Sequence, residues 1–409
     1  MILKLHAKHV DKYKKNYPLL FKEALIGAHL LETNPLKEGE IFKLVDEHNH
    51  YIATAYYGLQ NKGIGWILSR DEKERINPMF FKKKIYSAFE KRLGLYNNPK
   101  TNCFRVFNGE GDGIGGLTID FLNGYYLINW YSEGIYHFRA EIIEAIKTSA
   151  EFDGIYEKLR FDAVPASEDG FVMGTPAPKP LIVKENDVSF AIRFDEGAMI
   201  GIFLDQREVR RQLKFKYSKG KTILNTFAYT GAFSVFAALG GAKQVFSVDL
   251  ANRTAERVTE NFELNGITTD QHPIIIEDVF NYFSFAKKKA LKYDVVILDP
   301  PSFAKSKDFT FSAEKDYPAL LAEAIRITNE GGVIVASNNS STIDLDKFKQ
   351  IIGRGFNLAK SRFQILEIYQ LPKDFRVNYN YPESDYLKVV FIRVEPKKRH
   401  YGAKIAPRR

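Results

Sequence analysis

The sequence predicts an α/β protein in which a doubly wound, mostly parallel sheet follows a β-rich N-terminal domain and a small α+β segment. Three observations predict it. From about residue 185 onward, apolar runs at 222–225, 244–249, 273–277, 294–298 and 332–336 alternate with helical stretches, the rhythm of a parallel sheet covered by helices. Residues 1 to about 75 instead mix short strands with turns. At 409 residues the chain is also too long for one core, so two or three domains are expected.

Taken in order, the run from Gly39 to Gly58 holds two alternating stretches around Glu47-His48-Asn49-His50, a hairpin pattern. Between Asn77 and Leu93, Phe80, Phe81, Ile85, Phe89 and Leu93 fall near one helical face. Residues 101–189 hold a strand at 124–131 and a helix at about 137–150, a small α+β insert. The expected division is 1–75, 76–188 (a linker helix plus the insert), 189–396 for the doubly wound domain, and a basic tail at 397–409.

Composition excludes several classes. No apolar run reaches membrane-spanning length and the start lacks a signal-peptide pattern, so a soluble, cytoplasmic protein is expected. A single cysteine, Cys103, rules out an internal disulfide and any multi-cysteine zinc site, and no metal is expected. Net charge is +9 and uneven. Residues 51–100 carry ten Lys/Arg against four Asp/Glu, including Lys82-Lys83-Lys84. The last fourteen residues hold six Lys/Arg, among them Lys397, Lys398 and Arg399, and no acid. Such clusters suit a phosphate backbone.

The strand at 222–224 runs into Asn225-Thr-Phe-Ala-Tyr-Thr-Gly-Ala-Phe-Ser234 and then a helix, which places helix N–H groups at the sheet's carboxyl edge. Of a dinucleotide fingerprint only Gly231 is present, so pyrophosphate is excluded. Asn225, Phe227, Tyr229 and Gly231 are the candidate loop contacts. Asp249 ends the second strand, where a carboxylate accepts from ribose hydroxyls. Asp278 follows the third and can accept an adenine amino group. Two carboxylates in register without a phosphate grip select a nucleoside cofactor lacking phosphates, S-adenosylmethionine. Each aspartate has the plainer reading of a helix cap.

The run Tyr293-Asp-Val-Val-Ile-Leu298 then leads into Asp299-Pro300-Pro301-Ser302-Phe303. An acid at a strand's end and two prolines make a stiff loop in the ligand crevice. Such an Asp/Asn-Pro-Pro-aromatic loop resembles the active-site signature of methyltransferases acting on base nitrogens. The glycine-rich run Asn108-Gly-Glu-Gly-Asp-Gly-Ile-Gly-Gly-Leu-Thr-Ile-Asp120 lacks Gly-Lys-Ser/Thr and leads into a strand, so it reads as a turn rather than a phosphate loop.

Together with Phe203-Leu-Asp-Gln-Arg207 and Tyr381-Pro-Glu-Ser-Asp-Tyr-Leu-Lys388, these stretches resemble the bacterial 23S ribosomal RNA large-subunit methyltransferases with an N-terminal PUA domain. The resemblance extends over nearly the whole chain. It implies a Rossmann-like class I methyltransferase domain, a PUA-like RNA-binding domain over 1–75, and 23S ribosomal RNA or its large-subunit precursor as partner. It also places Gln206 and Arg207 at the cofactor's methionine end. Family members are often homodimers, though nothing in the sequence shows a self-complementary face.

The methylated atom is read from the strand after Asp-Pro-Pro. The 5-methylcytosine branch needs a thiolate there, whereas this chain has Ser337-Asn338-Asn339. That variant resembles the guanine-N7 branch. Guanine N7 attacks with a lone pair and needs no base, only alignment, and the amides of Asn338 and Asn339 can read guanine. Asp299 and Pro300 would shape the pocket, with Phe303 stacked on a flipped base. Methylation of cytosine C5 or an exocyclic amine by the same fold, and a non-catalytic RNA-binding factor, remain alternatives.

Overall fold

The computed structural model describes residues 1–33, 35–60, 63–163, 167–197, 199–301, 303–305 and 310–396. These form two compact units, one of residues 1–208 with 371–386 and the other of 209–370 with the chain from 387 onward.

The first unit begins with β1 (Ile2–Lys4), the helix Ala7–Lys14, β2 (Leu19–Phe21), β3 (Ile41–Val45), β4 (Tyr51–Gln60) and β5 (Gly63–Ser69), paired in the order β1-β3-β4-β5-β2. The hairpin between β3 and β4 turns where the sequence places it. Asp46 Oδ1 accepts from the N–H groups of His48 (2.9 Å) and His50 (2.8 Å), and Asn49 takes a φ of 67°, a conformation asparagine tolerates. The helix Pro78–Glu90 starts at Asn77, whose side chain accepts from Phe80 N, with proline at the first turn where no N–H is needed. It buries Phe80, Phe81, Ile85, Ala88 and Phe89, close to the face that periodicity picked out.

Then follow β6 (Cys103–Asn108), β7 (Leu117–Leu122), β8 (Tyr125–Trp130), the helix Arg139–Ser149, β9 (Gly154–Leu159) and β10 (Phe171–Gly174), a second sheet in the order β10-β9-β8-β7-β6. A hairpin of β11 (Leu181–Glu185) and β12 (Val188–Ile192) turns through Asn186 and Asp187, both at positive φ, as the right-handed strand twist requires of a two-residue loop.

The glycine-rich run is a turn, held by buried charge. Arg92, 2% exposed, grips Asp112 with two bonds of 2.8 and 2.7 Å and the Asp374 carbonyl at 2.5 Å. Asp374 in turn accepts from Arg207 (2.6 and 3.2 Å) and from the Arg105 N–H (3.0 Å). Arg105 pairs with Asp120 at 2.6 Å, and its guanidinium lies 4.4 Å from the Phe375 ring centre. Backbone approach explains Gly111: a Cβ there would sit 1.8 Å from the Arg376 carbonyl oxygen. The loop therefore seats residues 374–376 and cradles no phosphate.

Glu110 lies in this turn. Burial pushes its carboxyl up to about 7, Asp112 and Glu383 add to the rise, and Arg105 opposes it. A carboxyl whose folded-state value is raised favours the fold while protonated, so this contribution fades as pH climbs from about 4.5 through about 7. Glu110→Gln should hold its melting temperature across that window, where the parent's falls. Parallel thermal melts at pH 5, 6, 7 and 8 check this, and equal slopes for both proteins would refute it.

The second unit is the doubly wound sheet. Its strands are β13 (Thr222–Thr226), β14 (Gln244–Asp249), β15 (Ile274–Ile276), β16 (Tyr293–Leu298), the short antiparallel pair β17 (Phe303–Lys305) and β18 (Thr310–Ser312), then β19 (Thr328–Asn338), β20 (Phe363–Tyr369) and β21 (Lys388–Val394). The seven-stranded order is β15-β14-β13-β16-β19-β21-β20. The five strands from β15 to β19 run parallel, while β21 and β20 are antiparallel to their neighbours. Leu224, Val248, Val296, Leu298, Ile334 and Ala336 pack with Phe283, Tyr317, Leu321 and Ile352 from the helices. The sequence reading assigned no strands to β20 and β21. Between them, residues 371–386 belong to the first unit.

Candidate active site

Strand register brings the predicted residues of the second unit to one edge. Val248, Thr226, Leu298 and Ala336 form one row across β14, β13, β16 and β19. Strand order reverses between β13 and β16, the switch point where an open α/β sheet opens its ligand crevice. One residue beyond the row stand Asp249, Phe227, Asp299 and Ser337, with Asn338 next. Asp278 follows β15 by two residues. Asp278 and Asp299 thus bracket three inter-strand gaps of about 4.8 Å each.

The loop after β13 is shaped by backbone strain. Phe227, Tyr229 and Gly231 have φ of 55°, 52° and 77°, a left-handed region costly for the two aromatics. The surroundings hold it there. Asp249 Oδ2 accepts from Tyr229 N at 2.8 Å, while Oδ1 accepts from Ala251 N at 2.9 Å. Asn261 Nδ2 donates to the Thr230 carbonyl at 2.9 Å. A Cβ at Gly231 would meet Val258 at 2.9 Å. The helix Ala232–Leu239 begins immediately afterwards, so its first N–H groups face the crevice.

Not every candidate faces that crevice. Asn225 is 1% exposed and donates to Ser234 Oγ at 2.9 Å, which bonds Ser247 Oγ at 2.7 Å. It ties β13 to the helix beneath the loop. Asp278 caps the helix Val279–Lys288, its Oδ1 accepting from Phe280 N (2.9 Å) and Asn281 N (3.1 Å). Gln206 and Arg207 belong to the first unit. Arg207 is 4% exposed there, and the Asp374 carboxylate takes its guanidinium and holds its pKa above the ordinary arginine value against the pull of burial.

Around Asp299, Pro300 is buried and Asp299 half-buried. The Tyr317 hydroxyl donates to the Leu298 carbonyl (3.4 Å) at the end of β16. Burial lifts its pKa well above the ordinary tyrosine value and the Asp299 charge adds to this, so it stays protonated. Asn338 is 2% exposed and its Oδ1 accepts from Ser340 N at 3.0 Å, an Asx turn that commits its oxygen and leaves its nitrogen as donor. Asn339 is exposed. Directly across from Asn338 in register is Lys388, 2% exposed, its ammonium on the Ser340 carbonyl at 2.6 Å.

Sequence reasoning gave no role to Tyr317, Asn261, Lys388 or Asp374. Only Lys388 carried a signal, a lysine opening an apolar strand. The Phe303 side chain lies outside the described residues, as do Lys397, Lys398 and Arg399. Lys82 and Lys83 are exposed on the helix Pro78–Glu90, with Lys84 beside them and its ammonium 5.3 Å from the Phe80 ring centre. Among the described residues no helix is long and apolar enough to cross a membrane.

The site fits S-adenosylmethionine. A strained, well-anchored loop, a helix N-terminus and two carboxylates at one sheet edge offer acceptors for a ribose and an adenine amine. Comparison with known proteins agrees. A family model for S-adenosylmethionine-dependent methyltransferases matches residues 105–367, and one for a PUA-like domain matches 3–70. A Bacillus subtilis protein provisionally named ribosomal RNA large subunit methyltransferase YwbD is 49% identical, over 96% of this chain and 99% of its own. Ribosomal RNA large subunit methyltransferase I of Aeromonas hydrophila is 30% identical over 93% of this chain and 96% of its own. The crystal structure of SMU.776, described as a provisional methyltransferase complexed with SAH, superposes with a TM-score of 0.89 at 36% identity, over 96% of this chain and 100% of that one. The chain belongs to the S-adenosylmethionine-dependent methyltransferases, in the group that carries a PUA-like domain.

Proposed function

We propose that this enzyme methylates N7 of one guanosine in 23S ribosomal RNA, in the cytoplasm. The names of its relatives support large-subunit ribosomal RNA as the substrate class. The observation that carries the choice of atom is Asn338, standing at the end of β19 where thiolate chemistry would need a cysteine. Cys103 belongs to the first unit, buried with its Sγ on the Lys184 carbonyl at 3.2 Å.

When bound, S-adenosylmethionine supplies an electrophilic methyl on a sulfonium. Asp249 would accept from the ribose hydroxyls, since each of its oxygens has a second lone pair beyond the loop N–H it already takes. Asp278 Oδ2 is the oxygen left for the adenine amine, with Phe227 and Tyr229 beside the cofactor. Gln206 and Arg207 keep their proposed place at the methionine end, Arg207 acting through its fixed pairing with Asp374. Asn338 Nδ2 would donate to guanine O6, and Asp299 would accept from N1–H and N2–H. Asn339 lies exposed at the rim, and Phe303 is the proposed stacking partner. The chain supplies no general base because an in-plane lone pair needs none. Its task is alignment, which can supply roughly 7–11 kcal/mol of a barrier. Residues 1–75, Lys82–Lys84 and the tail at 397–409 would hold phosphates, and the domain bounds follow this division.

Nucleoside mass spectrometry of 23S ribosomal RNA from cells with and without the protein tests the proposal. Loss of one N7-methylguanosine is expected. Loss of 5-methylcytosine instead, or no change, would overturn it.

A further inference from the structure

Tyr379 is the most exposed large hydrophobic side chain of the described residues, at 92%, yet it stands on a firmly tied turn. Its neighbour Asn378 is buried and uses both ends of its amide. Nδ2 donates to the Asn16 carbonyl at 3.2 Å, and Oδ1 accepts from Asn380 N at 3.0 Å. The Asn378 carbonyl accepts from Tyr381 N at 2.8 Å, and Asn378 N donates to Ser384 Oγ at 3.0 Å. Tyr381 packs edge-on against Tyr17 (5.3 Å) and Trp66 (6.0 Å). A turn this constrained does not present a bare aromatic ring by accident of mobility.

The surroundings are basic. Asn16 follows the helix Ala7–Lys14, whose last turn carries Lys12 and Lys14, with Lys15 as its C-cap. Lys8, Lys12, Lys14 and Lys15 are all exposed, against the single acid Asp11 within that helix. Lys12 lies 3.6 Å above the Tyr17 ring. Lys373 and Arg376, on the same returning segment as Tyr379, are exposed too. The nearby Glu383 accepts the Tyr17 hydroxyl at 3.4 Å.

We infer that Tyr379 is a stacking platform for one unpaired nucleotide of the substrate RNA, with Lys14, Lys15 and Arg376 holding the flanking phosphates. A fixed aromatic ring amid cations is the pattern that binds single strands without reading sequence. A protein partner would favour a wider apolar patch, whereas Tyr379 is flanked by Asn378 and Asn380, and the turn is tied through Asn378 to Asn16 at the end of the lysine-bearing helix. This docking role rests on the proposal that the substrate is RNA.

The test is steady-state methylation of a 23S ribosomal RNA transcript by Tyr379→Ala and Tyr379→Phe. Tyr379→Ala should raise KM for RNA roughly tenfold, about 1.4 kcal/mol, with kcat and cofactor affinity retained. Tyr379→Phe should behave as the parent because the ring, not the hydroxyl, stacks. The side chain is solvated, so both variants should melt like the parent. An unchanged KM in Tyr379→Ala, or an equal loss in both variants, would overturn the inference. So would a defect seen only on assembled particles, which would assign the ring to a protein partner. The identity of the methylated nucleoside is read separately from the product, so a wrong target atom would not be mistaken for a wrong docking site.

Discussion

Asp374→Ala is expected to destabilise the first unit by about 3–5 kcal/mol, read as a drop in the urea midpoint without a change in slope. The reason is what it leaves behind. Asp374 is 2% exposed and its carboxylate accepts from Arg207 and from the Arg105 N–H, while its carbonyl accepts from Arg92. The substitution leaves the Arg207 guanidinium, itself 4% exposed, with the longer Glu208 contact at 3.6 Å, and a buried charge that loses its main partner is far costlier than a lost surface pair. Asp374→Asn keeps the shape and one acceptor but not the charge, so it should fall between parent and alanine. A midpoint unchanged in Asp374→Ala would mean that the buried pair is replaced without loss. Because Gln206 and Arg207 are proposed for the cofactor's methionine end, the same variant should also weaken cofactor binding, which isothermal titration would detect at temperatures well below the melt.

Asn338→Ala is expected to lower kcat by roughly 10²–10³-fold, the scale of removing one aligned donor from a reacting centre, with cofactor affinity nearly unchanged. Two losses coincide. The donor proposed for guanine O6 disappears, and Ser340 N loses its acceptor at 3.0 Å, which frees the loop that Lys388 also holds. Asn338→Asp separates them, because it retains an acceptor for Ser340 N but replaces the donor with a carboxylate. Equal inactivity of both variants supports the donor role. An active Asn338→Asp would assign Asn338 to the loop alone, and loss of cofactor binding in either variant would remove it from the base pocket.

Much of the fold was legible because its signals are local. The strands at 222–226, 244–249 and 293–298 lie inside the sheet with mostly buried residues, and together with the edge strand at 274–276 they read as short apolar runs. The turn at Glu47–His50 and the helix start at Asn77-Pro78 are likewise written in neighbouring residues. β20 escaped notice because it is an edge strand with a polar face, Gln364 and Glu367 interrupting its apolar residues. β21 escaped because the run before it, 371–386, leaves the sheet for the first unit.

The candidate site divides along the same line. The sequence by itself determined that Asp249, Asp278, Asp299 and Asn338 end successive strands or follow them, because a strand's end is a local boundary. It also determined the glycine-rich turn. Only the tertiary structure decided which atoms those residues have left to offer. Asn225 and the oxygen of Asn338 are committed to holding loops, Arg207 is committed to Asp374, and Tyr317 holds the end of β16. Those partners lie from 2 to 167 residues away in the chain. A hydrogen bond consumes a donor or acceptor only once folding has placed its partner within about 3 Å, and spacing along a sequence carries no record of that distance.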